Sequence, residues 1–523
     1  MHHQNLQPVA IEERIQTVDF LRGFALLGII IVNFTVDNAA LQPWAGWTGI
    51  ADQFAYWNIS FFLNDKFQTI YCFLFGLGFS LQMLRAESRN SPFILVYLRR
   101  LAVLFLIGAL HFILAGQRDI LANYAMMGIL LLIFHKLPQK LLLVIAVLCI
   151  LIPWTYKTIT DGNKITIINT NLITKDIKTL DTYIGVYQME NGNKHIITRK
   201  VDTLFGDGPA KHYYLIPQSN TTFIRSDNQN ALYTFLKDSN GIVSKIAVGA
   251  KNKIFLQKID AELGQALTLQ HQKQERVKNG KALQSYKSFI EGNARTFWNG
   301  LKNWGWLSYF WGGEISGILP FFLIGLYAGR RKIFLEISAN RQFLLKVIRW
   351  GFLMGLTGVG IFVGFDVWNY ITGTKMGSFS YLTQILVKKT GSLGTILIAL
   401  AYVAGLTLLL ENINWRKRLS FLSPVGRMGL TNYLLHSAII TLTIDGYGLH
   451  LAGKIGPFWR LILALLVFMI LIFISRWWFK HFRIGPAEWL WRSLTYLKFQ
   501  PMRIQQPDKA EEKEDGNILE ESM

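Results

Sequence analysis

The residues of this chain best suited to chemistry lie within or at the ends of apolar runs, where an ionisable group is costly. His111 stands near the end of one such run, and Asp119 follows after a Gly-containing turn. A His within reach of a carboxylate suits a general base, because the carboxylate holds the tautomer and stabilises the imidazolium. The same two residues also fit a structural arrangement, with the His bonded to a backbone carbonyl and the Asp capping the next helix. Asp19 and Arg22 are spaced i,i+3 at the start of the first apolar run and share a helix face. They read either as a membrane anchor, with Arg22 snorkelling to lipid phosphate, or as a site for a phosphate or carboxylate. Asn33, deeper in that run, and Asn432 with His436, spaced i,i+4, are polar groups inside apolar helices. Each serves either a substrate or an interhelical hydrogen bond. The candidate set is therefore His111 and Asp119 as catalytic residues, with Asp19, Arg22, Asn33, Asn432 and His436 binding substrate or donor. Glu488 is expected to pair with Arg492 at i,i+4. The apolar runs hold no metal-spaced cluster. Gly76 and Gly78 of "FGLGFS" sit inside an apolar helix, so they suit close helix contact better than nucleotide binding.

The elements that must position these residues are membrane helices. Of 523 residues 51% are hydrophobic and 17% charged, below the roughly 25% usual in soluble domains. Mean hydropathy is +0.27. The formal charge of +21 lies in short clusters between apolar runs, which argues against a nucleic-acid groove. Cys72 and Cys149 both lie in apolar runs and read as packing residues. Ten runs approach the length of a span: 17–36, 66–84, 98–116, 120–135, 140–156, 307–328, 344–365, 389–410, 429–447 and 458–479. The first is preceded by Glu12 and Glu13 and lacks a small-residue cleavage site, so it reads as a retained helix. Alternate short loops carry fifteen Lys and Arg against seven in the others, which predicts both termini in the cytoplasm.

Residues 157–283 interrupt the pattern. They alternate at period two in places such as Lys194–Val201 and Ile242–Val248, with Asn191-Gly192 and Asn240-Gly241 as hairpin signals. The expectation is a polytopic α-helical membrane protein of about ten spans, with a small antiparallel β domain between the fifth and sixth. The divisions expected are a five-helix bundle at 1–156, an extracytoplasmic β-rich insert with helical connector at 157–300, and a second five-helix bundle at 301–500. An acidic, disordered cytoplasmic tail at 501–523 completes the chain.

The segments "DFLRGFALLGIIIVNF", "TIYCFLFGLGFSL", "GALHFILAGQRDILANYA", "LPFFLIGLYAGRRKIF", "GRMGLTNYLLHSAI" and "GPAEWLWRSLTY" resemble the YeiB-type bacterial membrane proteins, grouped under domain of unknown function 418. That resemblance implies a multi-pass bacterial inner-membrane protein and no established activity; the β insert departs from the usual family pattern. A more distant likeness is to transmembrane acyltransferases of the heparan glucosaminide N-acetyltransferase type, which also open with Asp-x-x-Arg-Gly, here Asp19, Arg22 and Gly23. Those proteins carry acyl groups from a cytoplasmic donor to an acceptor on the far side. Their catalytic His follows that helix in an outer loop; here the corresponding loop, 37–65, has no His, which leaves His111 for the role. The likeness implies an acyl-CoA-like donor at Arg22 and an envelope glycan or lipid as acceptor, with the bilayer as constant partner. Two other readings stay open: a transporter or flippase, and a sensor or scaffold in which the β domain binds.

Overall fold

The computed structural model describes residues 15–35, 49–150, 177–263, 286–302, 317–372, 381–449 and 451–504, leaving out short stretches inside several of these ranges. The first bundle comprises α1 (Gln16–Thr35), α2 (Ile50–Phe62), α3 (Lys66–Ser88), α4 (Ile94–Ala115), α5 (Leu121–Phe134) and α6 (Gln139–Ile150). A short α7 (Ile177–Asp181) precedes the strands, and α8 (Tyr286–Lys302) follows them. The second part comprises α9 (Leu319–Arg330), α10 (Arg341–Thr372), α11 (Tyr381–Leu409), α12 (Ile413–Arg418), α13 (Leu422–Arg427), α14 (Gly429–Thr443), α15 (Pro457–His481) and α16 (Pro486–Tyr496).

Among the described residues six helices are long and apolar enough to cross a membrane. They lie within Gln16–Thr35, Ile50–Ser88, Ile94–Ala115, Arg341–Trp368, Thr383–Leu409 and Pro457–His481. The other four expected spans coincide with shorter helices, α5, α6, α9 and α14. The helix α2 was not expected; it stands in the stretch read as a loop, and buries Ala55 and Ile59. The tail beyond residue 504 lies outside the described residues.

The apolar sequence of α1 buries on most of its faces, with Leu21, Ala25, Leu26, Ile30 and Phe34 fully enclosed. It packs against α3, α13 and α15. In lipid the helices gain little by hiding apolar surface from one another, so small residues at close crossings matter more. A Cβ on Gly23 would strike the carbonyl of Leu422, and one on Gly426 the carbonyl of Asp19. Those two glycines bring the start of α1 against α13, where Arg22 and Arg427 line one cavity. Gly76 does the same for α3 on α9, where a Cβ would meet the carbonyl of Phe322. By contrast α10 and α11 form a peripheral hairpin; Trp350, Leu353, Met354 and Ile361 are exposed, which suits a lipid-facing surface.

The insert is a closed eight-stranded barrel in which every strand pairs antiparallel with its sequence neighbour and β1 closes on β8. Its strands are β1 (Gly185–Met189), β2 (Lys194–Lys200), β3 (Thr203–Asp207), β4 (His212–Pro217), β5 (Thr222–Arg225), β6 (Asn228–Lys237), β7 (Val243–Val248) and β8 (Ile254–Asp260). The period-two segments became β2 and β7. Asn240-Gly241 turns β6 into β7, with Gly241 at φ 78 and Asp238 Oδ1 accepting from the amides of Asn240 and Ile242. The inward positions, including Tyr187, Ile197, Leu215, Tyr233, Phe235 and Ile246, fill the interior, as a barrel this small requires. Closure also leaves no unpaired strand edge. The returning helix α8 docks on α4 near His111: Tyr286 Oη donates to the Leu114 carbonyl and Asn293 Nδ2 to that of Ile113.

Candidate active site

The candidate residues fall at two levels along the bundle. On α1, Arg22 and Asn33 are eleven residues apart, which is about 16 Å of helix rise. Arg100 and His111 are separated by the same interval on the antiparallel α4. One end of the bundle therefore gathers arginines, and the other gathers His, Asp and Asn.

At the arginine end a cavity of about 590 Å³ enters the bundle, within the size range of small-molecule and cofactor sites. Arg22, Arg85, Arg89, Arg100, Arg427 and Arg492 line it, against two acids, Asp19 and Glu488. Arg22 Nη1 lies 3.4 Å from Asp19 Oδ1, and 37% of the Arg22 side chain remains exposed, so the guanidinium keeps donors for a ligand. Arg100 is held by α16: its guanidinium stands 3.9 Å over the Trp491 ring, whose Nε1 donates to the Arg100 carbonyl at 2.9 Å. Tyr71 also lines the cavity, and its buried Oη has no hydrogen-bond partner among the described residues.

Glu488 does not take the expected role. Instead of pairing with Arg492, its carboxylate closes the start of α14. Oε1 accepts from the amides of Leu430 and Thr431 at 2.6 and 3.2 Å, and Oε2 from Thr431 Oγ1 at 2.6 Å. The first-turn amides of a helix lack partners of their own, and an acid complements the dipole there. That gain outweighs a surface-type pair with an arginine. Burial pushes the Glu488 carboxyl above its ordinary value, opposed by these same hydrogen bonds.

At the other end His111 Nδ1 donates to Asp119 Oδ1 at 3.0 Å. Asp119 Oδ2 accepts from the Ala122 amide at 3.0 Å, so the Asp holds the His and caps α5 with one carboxylate. The catalytic and the structural reading of Asp119 are thus compatible. His111 is 6% exposed, and its buried Nε2 has no hydrogen-bond partner among the described residues. A neutral imidazole held this way presents Nε2 as the acceptor a general base uses.

A second cavity, of about 190 Å³, opens at this level; Asn33, Asn64, Asp65 and Gln68 give it polar walls, while Ile29, Val32, Leu63 and Phe67 give it apolar ones. Asp65 joins α2 to α3 at φ 60, a left-handed conformation that Asp tolerates better than most residues. Asn33 Nδ2 lies 3.1 Å from His436 Nε2, which ties α1 to α14. The structure thus brings Asp19 and Arg22 together in one cavity; Asn33 lines the other and contacts His436, which lines neither, and His111 pairs with Asp119 outside both. Asn432 joins none of these. It is fully buried, and Nδ2 bonds the Val425 carbonyl and Ser475 Oγ, locking α14 to α13 and α15.

The sequence reading missed Tyr433. It lines both cavities, and its Oη accepts from the Ile120 amide at 3.3 Å. Its ring centroid lies 5.2 Å from that of His111 and 5.2 Å from that of His436. A signal was present: adjacent helical residues point about 100° apart, so a polar Asn432 facing one neighbour turns Tyr433 to another. Arg427, Asp65 and Gln68 were missed as well.

Two regions of the chain match known families. Residues 14–187 match the family described as heparan-alpha-glucosaminide N-acetyltransferase, catalytic, and residues 328–498 match the protein of unknown function DUF418. Over these two regions the chain is similar to the DUF418 family and, more distantly, to acyltransferases of the first kind. The uncharacterized protein YxaH of Bacillus subtilis (strain 168) is 26% identical over 514 residues, covering 95% of this chain and 98% of the relative. An uncharacterized 39.9 kDa protein of Bacillus acidopullulyticus is 24% identical, covering 95% and 99%. YeiB of Escherichia coli (strain K12) is 36% identical over 123 residues, 23% of this chain and 30% of the relative. No solved structure matches. The site draws on both matched regions: Arg22, Asn33, His111 and Asp119 come from the first, Arg427, Tyr433, His436 and Glu488 from the second.

Proposed function

We propose that this YeiB-like protein is a membrane acyltransferase, moving an acyl group from a phosphate-bearing thioester in the arginine-lined cavity to a hydroxyl or amine in the smaller one. One observation carries the reading: two cavities of different chemistry, one cationic and one uncharged except for Asp65, both end on Tyr433, whose ring packs against a His–Asp pair with no partner for His Nε2 among the described residues. Arginine is suited to phosphate because its planar fork forms charge-assisted, often bidentate bonds. The match to an N-acetyltransferase catalytic family over residues 14–187 supports the same reaction class.

In this mechanism His111 Nε2 takes the proton from the acceptor as its oxygen or nitrogen attacks the thioester carbonyl. Asp119 stabilises the imidazolium. The tetrahedral adduct collapses, the carbon–sulfur bond breaks, and the departing thiolate receives the proton from Nε2. The acylated acceptor and the free thiol are the products. The arginine end faces the cytoplasm in this reading, as the loop charges favour, and the smaller cavity faces the envelope. The acceptor is an envelope glycan or lipid headgroup, sized by a pocket of about 190 Å³. The barrel is an accessory on the acceptor side.

The test is acyl transfer in membrane vesicles containing the protein, supplied with acetyl-CoA and envelope extract. The reading predicts an acylated product with the wild type and none above background with His111→Ala. Equal product from both removes His111 from the mechanism. A transporter is the second reading, favoured by cavities that approach one another from opposite ends. It predicts uptake of a solute by proteoliposomes with no covalent product.

A further inference from the structure

Helix α16 is built inside out. It buries Glu488, Ser493 and Thr495, while Leu490, Leu494 and Leu497 form an exposed stripe at i, i+4 and i+7. A helix that faces water does the reverse. Phe499, 83% exposed, extends the stripe. The first turns of α4, on which α16 packs through Trp491 and Arg100, expose Ile94, Leu95 and Leu98. The platform is fastened down: the Arg483 amide donates to the Met502 carbonyl and Trp489 Nε1 to that of Gln500, both at 2.8 Å. Two pairs of tryptophans show where the bilayer lies. Trp459 and Trp477 on α15 are exposed and eighteen residues apart, and so are Trp350 and Trp368 on α10. That interval is about 27 Å of helix rise, close to the thickness of the hydrocarbon core, and Trp gathers at the two membrane surfaces. Trp477 marks the arginine end, because Arg427 of the cavity stands 4.0 Å over the ring of Phe479, two residues on. Helix α15 ends one turn beyond Trp477 and α16 begins five residues later, which puts α16 at headgroup level. The charges point the same way. Residues 476–503 hold six cations, Arg476, Lys480, Arg483, Arg492, Lys498 and Arg503, against one acid, Glu488, which is buried and occupied by α14. Such a cluster on an amphipathic helix beside a membrane span attracts anionic headgroups.

We infer that α16 is a lipid-reading helix: its leucine stripe seats in the leaflet at the arginine end, and the cations around it select anionic phospholipid there. A zwitterionic leaflet satisfies the leucines but gives the cations no net charge to meet. The seat bears on the cavity, because Glu488, Trp491, Arg492 and Tyr496 of the same helix line it. Glu488 also closes the start of α14, and Trp491 covers Arg100. Lipid and cavity are thus the two sides of one short helix. The inference goes beyond the acyl-transfer reading and stands without it, since neither donor nor acceptor enters.

The experiment uses the full chain in lipid nanodiscs, with both native cysteines replaced by Ala and one reporter, Leu494→Cys, carrying an environment-sensitive fluorophore. Discs leave both faces open, so the sidedness of the bundle does not enter. The discs are phosphatidylcholine with or without phosphatidylglycerol. One quencher is a lipid with a nitroxide near the headgroup, and the other is a neutral nitroxide in the water. Phe473→Cys on α15 and Ile242→Cys on the barrel, both exposed positions, serve as lipid and water references. With phosphatidylglycerol present, the Leu494 reporter is quenched by the lipid nitroxide and shielded from the aqueous one, as at Phe473. In phosphatidylcholine alone its lipid quenching falls severalfold. Lys498→Gln with Arg503→Gln weakens the seating by roughly fivefold for each cation, the weight of one charge near an anionic surface, while the Phe473 reporter stays as it was and shows that the fold is kept. The inference is overturned if the Leu494 reporter is quenched from water like Ile242 in both lipids. Shielding from both quenchers overturns it too, since another protein surface then covers the stripe. Equal lipid quenching with and without phosphatidylglycerol also overturns it, because the cations then select nothing.

Discussion

The barrel and the helical bundle bury polar groups to different degrees. Inside the barrel His195 Nδ1, Tyr213 Oη and Tyr233 Oη form a chain at 3.0 and 3.1 Å, and the Arg225 guanidinium stands 4.0 Å over the Tyr213 ring. Among the described barrel residues Thr198 Oγ1 is the one buried side-chain polar atom without a hydrogen-bond partner. In the bundle Tyr71 Oη and His111 Nε2 are buried with no hydrogen-bond partner among the described residues, beside cavities of about 590 and 190 Å³. Leaving such a group unmet costs on the order of 1–3 kcal/mol. The barrel interior is filled by its own side chains, whereas the bundle keeps unmet polar atoms beside its cavities.

The comparison breaks most sharply at His111. Its replacement by Ala should lower acyl transfer by about 10²- to 10⁴-fold, the usual weight of a general base, while thermal stability changes little. A loss of folding in place of rate would make His111 a packing residue like those of the barrel. Arg22→Ala should weaken donor binding by roughly tenfold to a hundredfold, the loss of a charge-assisted hydrogen bond, read as a higher KM for acetyl-CoA. Arg22→Lys should recover only part, because an ammonium lacks the planar fork. Replacing residues 177–263 with a short linker should leave acetyl-CoA hydrolysis or transfer to a small acceptor intact. Abolished activity in a folded bundle would promote the barrel from accessory to binding element.

The smallest effect tests the barrel alone. Burial, and next the Arg225 charge, hold the His195 imidazole below its ordinary value of 6.5. The folded barrel thus prefers neutral His195, while the unfolded chain protonates near 6.5. Stability should be full above that pH and decline as pH falls from there through the lowered folded value, by at most about 1.4 kcal/mol per pH unit. Pulse proteolysis of the barrel between pH 7.5 and 5 should show the decline, and His195→Gln should flatten it. A slope that survives the substitution assigns it to another group.

Much of this was legible beforehand, for reasons that differ by element. The spans of α1, α4, α10, α11 and α15 could be read because unbroken apolar length is a local property. The hairpin at Asn240-Gly241 could be read because its turn needs a left-handed residue at Gly241. The i,i+3 spacing of Asp19 and Arg22 and the turn between His111 and Asp119 are equally local. Closure of the strands into a barrel does not follow from the hairpin signals, since pairing β1 with β8 joins residues about seventy positions apart in sequence. Glu488 was misread for the same reason: its partners Leu430 and Thr431 are distant in the chain, while Arg492 is one helical turn away. Helix α2 escaped notice because Asp52, Gln53 and Asn58 interrupt its apolar residues. Tyr433 escaped because a tyrosine in an apolar helix looks like packing until both cavities are seen to end on it.

The most direct test of the account is sided transfer in sealed vesicles that hold acceptor at one face only. The account predicts that acetyl-CoA supplied at the arginine face acylates acceptor at the opposite face, and that acetyl-CoA supplied with the acceptor does not. Product that forms only when donor and acceptor share a face would contradict it, as would sided transfer that persists at the wild-type rate in His111→Ala.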